Sequence, residues 1–224
     1  MKTLSVFDVL GPPMVGPSSS HTAGAARLAA VASRIAGPDI RLVRFTLYGS
    51  FAKTYRGHGT DRALLAGIMG MAPDDARLPS AFSLADKLGI RYAFTPSERE
   101  TEHPNTVTIE ALNARGRTTF ITGCSIGGGS VVLTNINGVD VYITGEYPTL
   151  VVEHTDRPGM IASISRTLGE AQINIAFMRV FRHDRGGQAY MVIETDQDVP
   201  ERILHRLREL CDDIHHVHWI EGIK

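Results

Sequence analysis

The feature that most constrains the fold is the order of patterns in the last third of the chain. "TLVVEHT" is a β-branched run, and "DRPGMIASISRTLGEAQ" turns at Asp156 and Pro158 into a helix striped by Ile161, Ile164 and Leu168. "INIAFMRVFRHD" and "QAYMVIETD" then flank a Gly-Gly turn, which reads as a hairpin. A helix from Pro200 carries Ile203, Leu207 and Leu210, and "IHHVHWI" supplies a last strand. The order β-α-β-β-α-β, in roughly 75 residues, specifies the ferredoxin-like split arrangement. A unit so small gains from pairing with a second copy or with another domain.

The rest of the chain reads differently. Leu28, Val31 and Ile35 fall at helical spacing among alanines, and Gly37 and Pro38 stop a helix over residues 19 to 36. In "IRLVRFTLYGS", Leu42, Arg44 and Thr46 alternate with Val43, Phe45 and Leu47, as a half-buried strand requires. Thr60 is placed to cap a second helix bearing Ala63, Leu64, Ile68 and Met71. A short helix near Leu84 to Leu88 and a strand at Ile90 to Phe94 come next. "NTVTIEALN", "TTFITGC" and "VVLTNING", separated by turn chemistry, then predict an antiparallel meander covered by the two helices. The expected architecture is α+β, with an N-terminal domain over residues 1–146 and the ferredoxin-like domain over 147–224, the boundary falling where Gly145 and Pro148 interrupt the pattern.

With 23 basic and 24 acidic residues and a formal net charge of -1, no basic surface points to nucleic acid and no polybasic run to a membrane. The opening "MKTLSVFDVLGPPM" lacks the apolar core of a secretory signal, so a cytoplasmic location is expected. Two cysteines, Cys124 and Cys211, match no zinc spacing and no disulfide framework.

The chemistry concentrates at "GPSSSHT". One hydroxyl suffices to cap a helix, and the others are either spare solvated groups or part of an anion cradle for a carboxylate or phosphate. His21 is suited to proton transfer, and His58 in "GHGTD" sits between glycines that let backbone approach a ligand, or is an exposed residue of a flexible turn. Lys53 could orient a carboxylate, or be a solvated charge. "EHPNT" places His103 and Asn105 before a strand, and "SIGGGS" is either an amide nest or a hairpin loop. The closing "HHVHW" puts His216 and His218 on one strand face and His215 on the other, a pattern of a solvated or interface strand rather than a metal site. No GxGxxG or P-loop pattern is present.

"GPSSSHT", "GHGTDRA", "HPNT" and "SIGGGSV", in that order, together resemble the β subunit of the iron–sulfur L-serine dehydratases, and the stretch "EHTDRPGMIASISRTLGEAQINI" resembles an ACT domain. The resemblance implies conversion of L-serine to pyruvate and ammonia with a [4Fe-4S] cluster held by a separate α subunit. Two cysteines cannot fill the three or four cluster positions, which agrees with a partner-borne cluster. By the same resemblance His21, placed first, and His58 are the catalytic candidates, and Ser18, Ser19, Ser20, Thr22, Lys53, Gly59, Thr60 and Asn105 the substrate-binding ones. His154, Asp156, Gly159 and Asn174 are the effector-binding candidates for an amino acid such as L-serine, with Asp156 standing where serine-sensing relatives carry Asn. A homodimer is expected, and the rival reading is an amino-acid-sensing regulatory subunit that supplies no catalytic group.

Overall fold

The computed structural model describes residues 12–222, so the opening stretch read for a secretory signal lies, through residue 11, outside the described residues. The chain divides into two compact units, residues 1–137 and 138–224.

In the first unit a π-helical turn, Ser19–Gly24, runs directly into α1 (Ala25–Ala36), so the helix expected from residue 19 forms with a widened first turn. Strand β1 (Ile40–Leu47) buries Val43, Phe45 and Leu47 as its alternation requires. Three helices follow: α2 (Gly49–Thr54), which has no apolar stripe long enough to be read from sequence, α3 (Thr60–Ile68) and α4 (Ala81–Lys87). They return the chain to β2 (Arg91–Pro96), which pairs parallel to β1, an arrangement that needs such a crossover. Then β3 (Thr106–Asn113), β4 (Thr118–Gly127) and β5 (Ser130–Ile136) follow, in the sheet order β2-β1-β3-β4-β5, and β6 (Val139–Ile143) lies past the division at residue 137. The meander is therefore present over β3 to β5, with β1 antiparallel to β3 on its flank.

The small side chains of α1 have a packing reason. A Cβ added at Gly67 of α3 would lie 2.2 Å from the Ala26 carbonyl oxygen and 2.8 Å from the Ala29 Cβ, so α1 and α3 meet almost backbone to backbone. Ala25, Ala26, Ala29 and Ala32 are fully buried, while Leu28 and Ile35 fill the space beneath.

The second unit contains β7 (Thr149–Thr155), α5 (Met160–Glu170), β8 (Ile175–Arg182), β9 (Gln188–Thr195), α6 (Glu201–Arg208) and β10 (Ile214–Ile220). Its sheet has the order β10-β7-β9-β8, the split β-α-β-β-α-β topology expected from the sequence. Leu150 and Val152, Met191 and Ile193, and Val217 pack against Ile164 and Leu168 of α5 and Ile203 and Leu207 of α6. One local expectation fails. Asp156 and Pro158 do not open α5, because Gly159 takes a left-handed backbone (φ 92°) in the cap position and the helix begins at Met160. No helix among the described residues is long and apolar enough to cross a membrane.

Candidate functional site

"GPSSSHT" folds around its own histidine. Ser18 has extended backbone before the π-helical turn, and its hydroxyl oxygen accepts from the His21 backbone N–H at 3.2 Å. His21 is 8% exposed. Its Nδ1 lies 3.1 Å from Ser20 Oγ and 3.4 Å from Ser18 Oγ, and its Nε2 lies 3.0 Å from Ser50 Oγ. Burial, and secondarily the neighbouring His58, hold this imidazole below its ordinary pKa, so it is neutral near pH 7.

Residues far apart in sequence converge on that ring. Phe51 meets it edge-on at 5.2 Å and His58 edge-on at 4.7 Å between centroids. The Thr22 hydroxyl donates to the His58 carbonyl oxygen at 3.3 Å. The structure thus joins "GPSSSHT" to "GHGT" in one polar cluster. Neither ring nitrogen of His58 has a hydrogen-bond partner among the described residues, and its Nδ1 is buried.

The other candidates are placed unequally. Ser19 opens the π-helical turn and is half-buried. Lys53 sits in the last turn of α2 with an exposed side chain. Gly59 adopts the left-handed region (φ 68°) and occupies the cap position of α3. Thr60 is therefore the first residue of that helix rather than its cap, and its fully buried Oγ1 has no partner. Asn105 belongs to the β3 entry turn, where its Nδ2 donates to Ser125 O at 3.4 Å and its N–H to His103 Nδ1 at 3.2 Å. "SIGGGS" is the β4–β5 hairpin, with Gly127, Gly128 and Gly129 all at positive φ and the Gly129 carbonyl oxygen accepting from Arg27.

Ser50 is the residue that sequence reading missed. Its one signal is the "GS" after a strand: Gly49 has φ 52°, and a Cβ there would come within 2.5 Å of Pro104 O. That close approach lets the Ser50 N–H donate to Pro104 O at 2.7 Å, so the "HPNT" turn fixes the backbone that presents Ser50 to His21. Asp61, also passed over, is 8% exposed, and burial raises its carboxyl pKa against the opposing pull of Arg62.

In the second unit, His154 is 1% exposed, its Nδ1 bonded to Thr155 O at 2.8 Å and its Nε2 buried without a partner. Asp156 accepts from Arg182 and from the Gly186 N–H, which lowers its pKa and ties it to the β8–β9 hairpin. Asn174 donates to Asp196 at 2.6 Å just before β8. The two are not brought together. Thr155 pairs with Gln188 at the start of β9 and Ile175 with Thr195 at its end, which sets Asp156 and Asn174 at opposite ends of the sheet, about 20 Å apart. On β10, His215 bonds Thr155 while the His216 and His218 rings lie 5.8 Å apart. No group of three His, Cys, Asp or Glu among the described residues could hold a metal ion.

Comparison with known families matches residues 5–89 to the serine dehydratase beta chain and residues 148–212 to the ACT domain. The probable L-serine dehydratase beta chain of Bacillus subtilis (strain 168) is 41% identical over 94% of this chain and 95% of its own length. The L-serine dehydratase beta chain of Peptoniphilus asaccharolyticus is 40% identical over 91% of this chain and 92% of its own. The L-serine dehydratase of Mycobacterium tuberculosis (strain CDC 1551 / Oshkosh) is 34% identical over 66% of this chain, a match spanning 36% of that longer relative.

Proposed function

The chain belongs to the L-serine dehydratase beta-chain family, and from that premise we propose that its polar cluster is one side of a shared active site, completed by an alpha chain that carries the iron–sulfur cluster. A beta chain implies an alpha-chain partner. The residues present do not fit a cluster, since the described donors include no metal-binding trio and Cys124 and Cys211 fall in different compact units. The cluster is therefore assigned to the partner, and this chain contributes through its own side chains and backbone amides.

In this reading L-serine places its carboxylate against the hydroxyls and free amides of "GPSSSHT", where the start of a helical run favours negative charge. His21 stays neutral and is held by hydroxyls at both nitrogens. His58 has no such partner, so it can take up the α-proton of serine without first breaking a hydrogen bond. This reverses the order in which the two histidines stood from sequence. Gly59 keeps the backbone beside His58 clear of side chain, and Asn105 fixes the hairpin behind the cluster. The observation that carries the proposal is the meeting of His21 and His58 at 4.7 Å, from motifs that have no local reason to be adjacent.

The test is anaerobic pyruvate formation from L-serine by this chain, by its iron–sulfur partner, and by both together. Activity only in the mixture, with His58→Asn lowering the rate by roughly 10²- to 10⁴-fold without preventing assembly, supports a shared site. Activity in the partner alone would make this chain a regulator.

For the ACT domain we take L-serine or a related amino acid as effector, bound by His154, Asp156 and Gly159 of one chain and Asn174 of a second. The separation of these residues across one sheet supports a site shared by two copies.

A further inference from the structure

We infer that Ser50 is a positioning residue: by donating to His21 Nε2 it holds the imidazole in the Nδ1–H tautomer, which turns the Ser20 hydroxyl proton outward to the substrate carboxylate. The inference rests on the reading of this cluster as the serine site.

Donors and acceptors must match around the ring. A neutral imidazole carries one proton, so one ring nitrogen donates and the other accepts. Among the described residues the Ser50 hydroxyl has a single partner, His21 Nε2 at 3.0 Å. If it accepted from that nitrogen, its own proton would have no protein acceptor; if it donates, the proton is used and Nδ1 bears the ring hydrogen. Nδ1–H then donates to Ser20 Oγ at 3.1 Å. Ser18 Oγ accepts from the His21 backbone N–H and lies 3.4 Å from Ser20 Oγ, so at most one of the two serine protons is spent between them. At least one serine proton is thus left for an arriving carboxylate, which the start of a helical run favours. In the opposite sense Ser20 would spend its proton on Nδ1, and an arriving carboxylate would meet oxygen lone pairs.

The surroundings hold Ser50 in place for this task. Its backbone N–H is bonded to Pro104 O and its carbonyl accepts from the Thr54 hydroxyl, so the backbone bonds do not depend on the side chain. Removing the hydroxyl therefore leaves α2 intact while orphaning Nε2. The device also gives "HPNT" a role: it is the anchor that sets Ser50 29 residues along the chain from His21 yet within one hydrogen bond of it.

Two measurements test the inference together. Nitrogen-15 imidazole shifts of the full chain, with the His21 signals assigned by their loss in His21→Asn, should show the Nδ1–H tautomer, and Ser50→Ala should move it toward Nε2–H. In the reconstituted complex Ser50→Ala should raise KM for L-serine roughly tenfold with little change in kcat, the signature of lost carboxylate binding, and Ser50→Thr should restore KM. A wild-type His21 in the Nε2–H form, or an unchanged KM in Ser50→Ala, overturns the inference. A wild-type mixture that makes no pyruvate overturns instead the reading of the cluster, and the shifts then decide the tautomer by themselves.

Discussion

At the scale of single residues the polar cluster is set by burial. His21 is neutral in the folded chain because its charged form would lose water and face His58. Its folded pKa lies below the ordinary 6.5, so below that pH the unfolded chain binds more protons than the folded one. Stability contributed by the neutral ring is complete above 6.5 and is lost as pH falls through the folded value. Comparing urea midpoints at about pH 7.5 and about pH 5.5 should show a decline in the wild type that is shallower in His21→Asn. Asp61 works in the opposite sense. Burial raises its carboxyl above the ordinary 3.8, so the folded state favours the protonated form and loses that advantage as pH rises through the folded value. Asp61→Asn keeps an oxygen to accept from the Arg62 N–H and should raise Tm at neutral pH, with the gain closing toward acid. An equal gain at all pH values would rule out the titration as its cause.

At the scale of elements the alanines of α1 and the glycine of α3 form one device. Gly67 faces backbone atoms that cannot move aside, so Gly67→Ala should destabilise by about 1–3 kcal/mol, read from the shift in denaturation midpoint. Gly169 near the end of α5 meets nothing within 4 Å and has no positive φ. There Gly169→Ala should stabilise by about 0.4–1 kcal/mol through the unfolded state. The same two helices explain what was legible. The stripes of α1, α3, α5 and α6 and the alternation of β1 are local periodicities, and they appear broadly where the sequence puts them, except that Ile161 of α5 is exposed and that Met71 and Leu210 lie beyond the ends of α3 and α6. Helix α2 was not legible because six residues are too few for a stripe, and the parallel placement of β2 depends on a crossover whose length shows only in the fold.

At the scale of the whole molecule the arrangement of residues over one sheet limits what a single copy can do. If the proposed effector site takes Asp156 from one chain and Asn174 from another, neither Asp156→Ala nor Asn174→Ala alone should bind L-serine there. An equimolar mixture of the two should recover about a quarter of the wild-type sites by calorimetry, because half of a randomly formed set of twofold dimers is mixed and each mixed dimer keeps one of two sites. Full binding by either variant alone would exclude a site shared in this way. The iron–sulfur assignment makes a separate prediction: the chain purified alone and supplied anaerobically with iron and sulfide should develop no visible charge-transfer absorption, whereas its partner should.

The sequence by itself determined the order of the strands and helices apart from α2 and β6, the α+β class, the ferredoxin-like second unit and the resemblance to the family, because these are written in near-neighbour periodicity and in runs of a few residues. Only the tertiary structure decided who meets whom. That His21 lies between Ser20 and Ser50, that the Thr60 hydroxyl has no partner while Gly59 takes the cap, and that Asp156 is held by Arg182 all follow from crossovers, sheet register and close helix packing. Hydrogen bonds between residues tens of positions apart are fixed by the fold as a whole, and no local pattern encodes them.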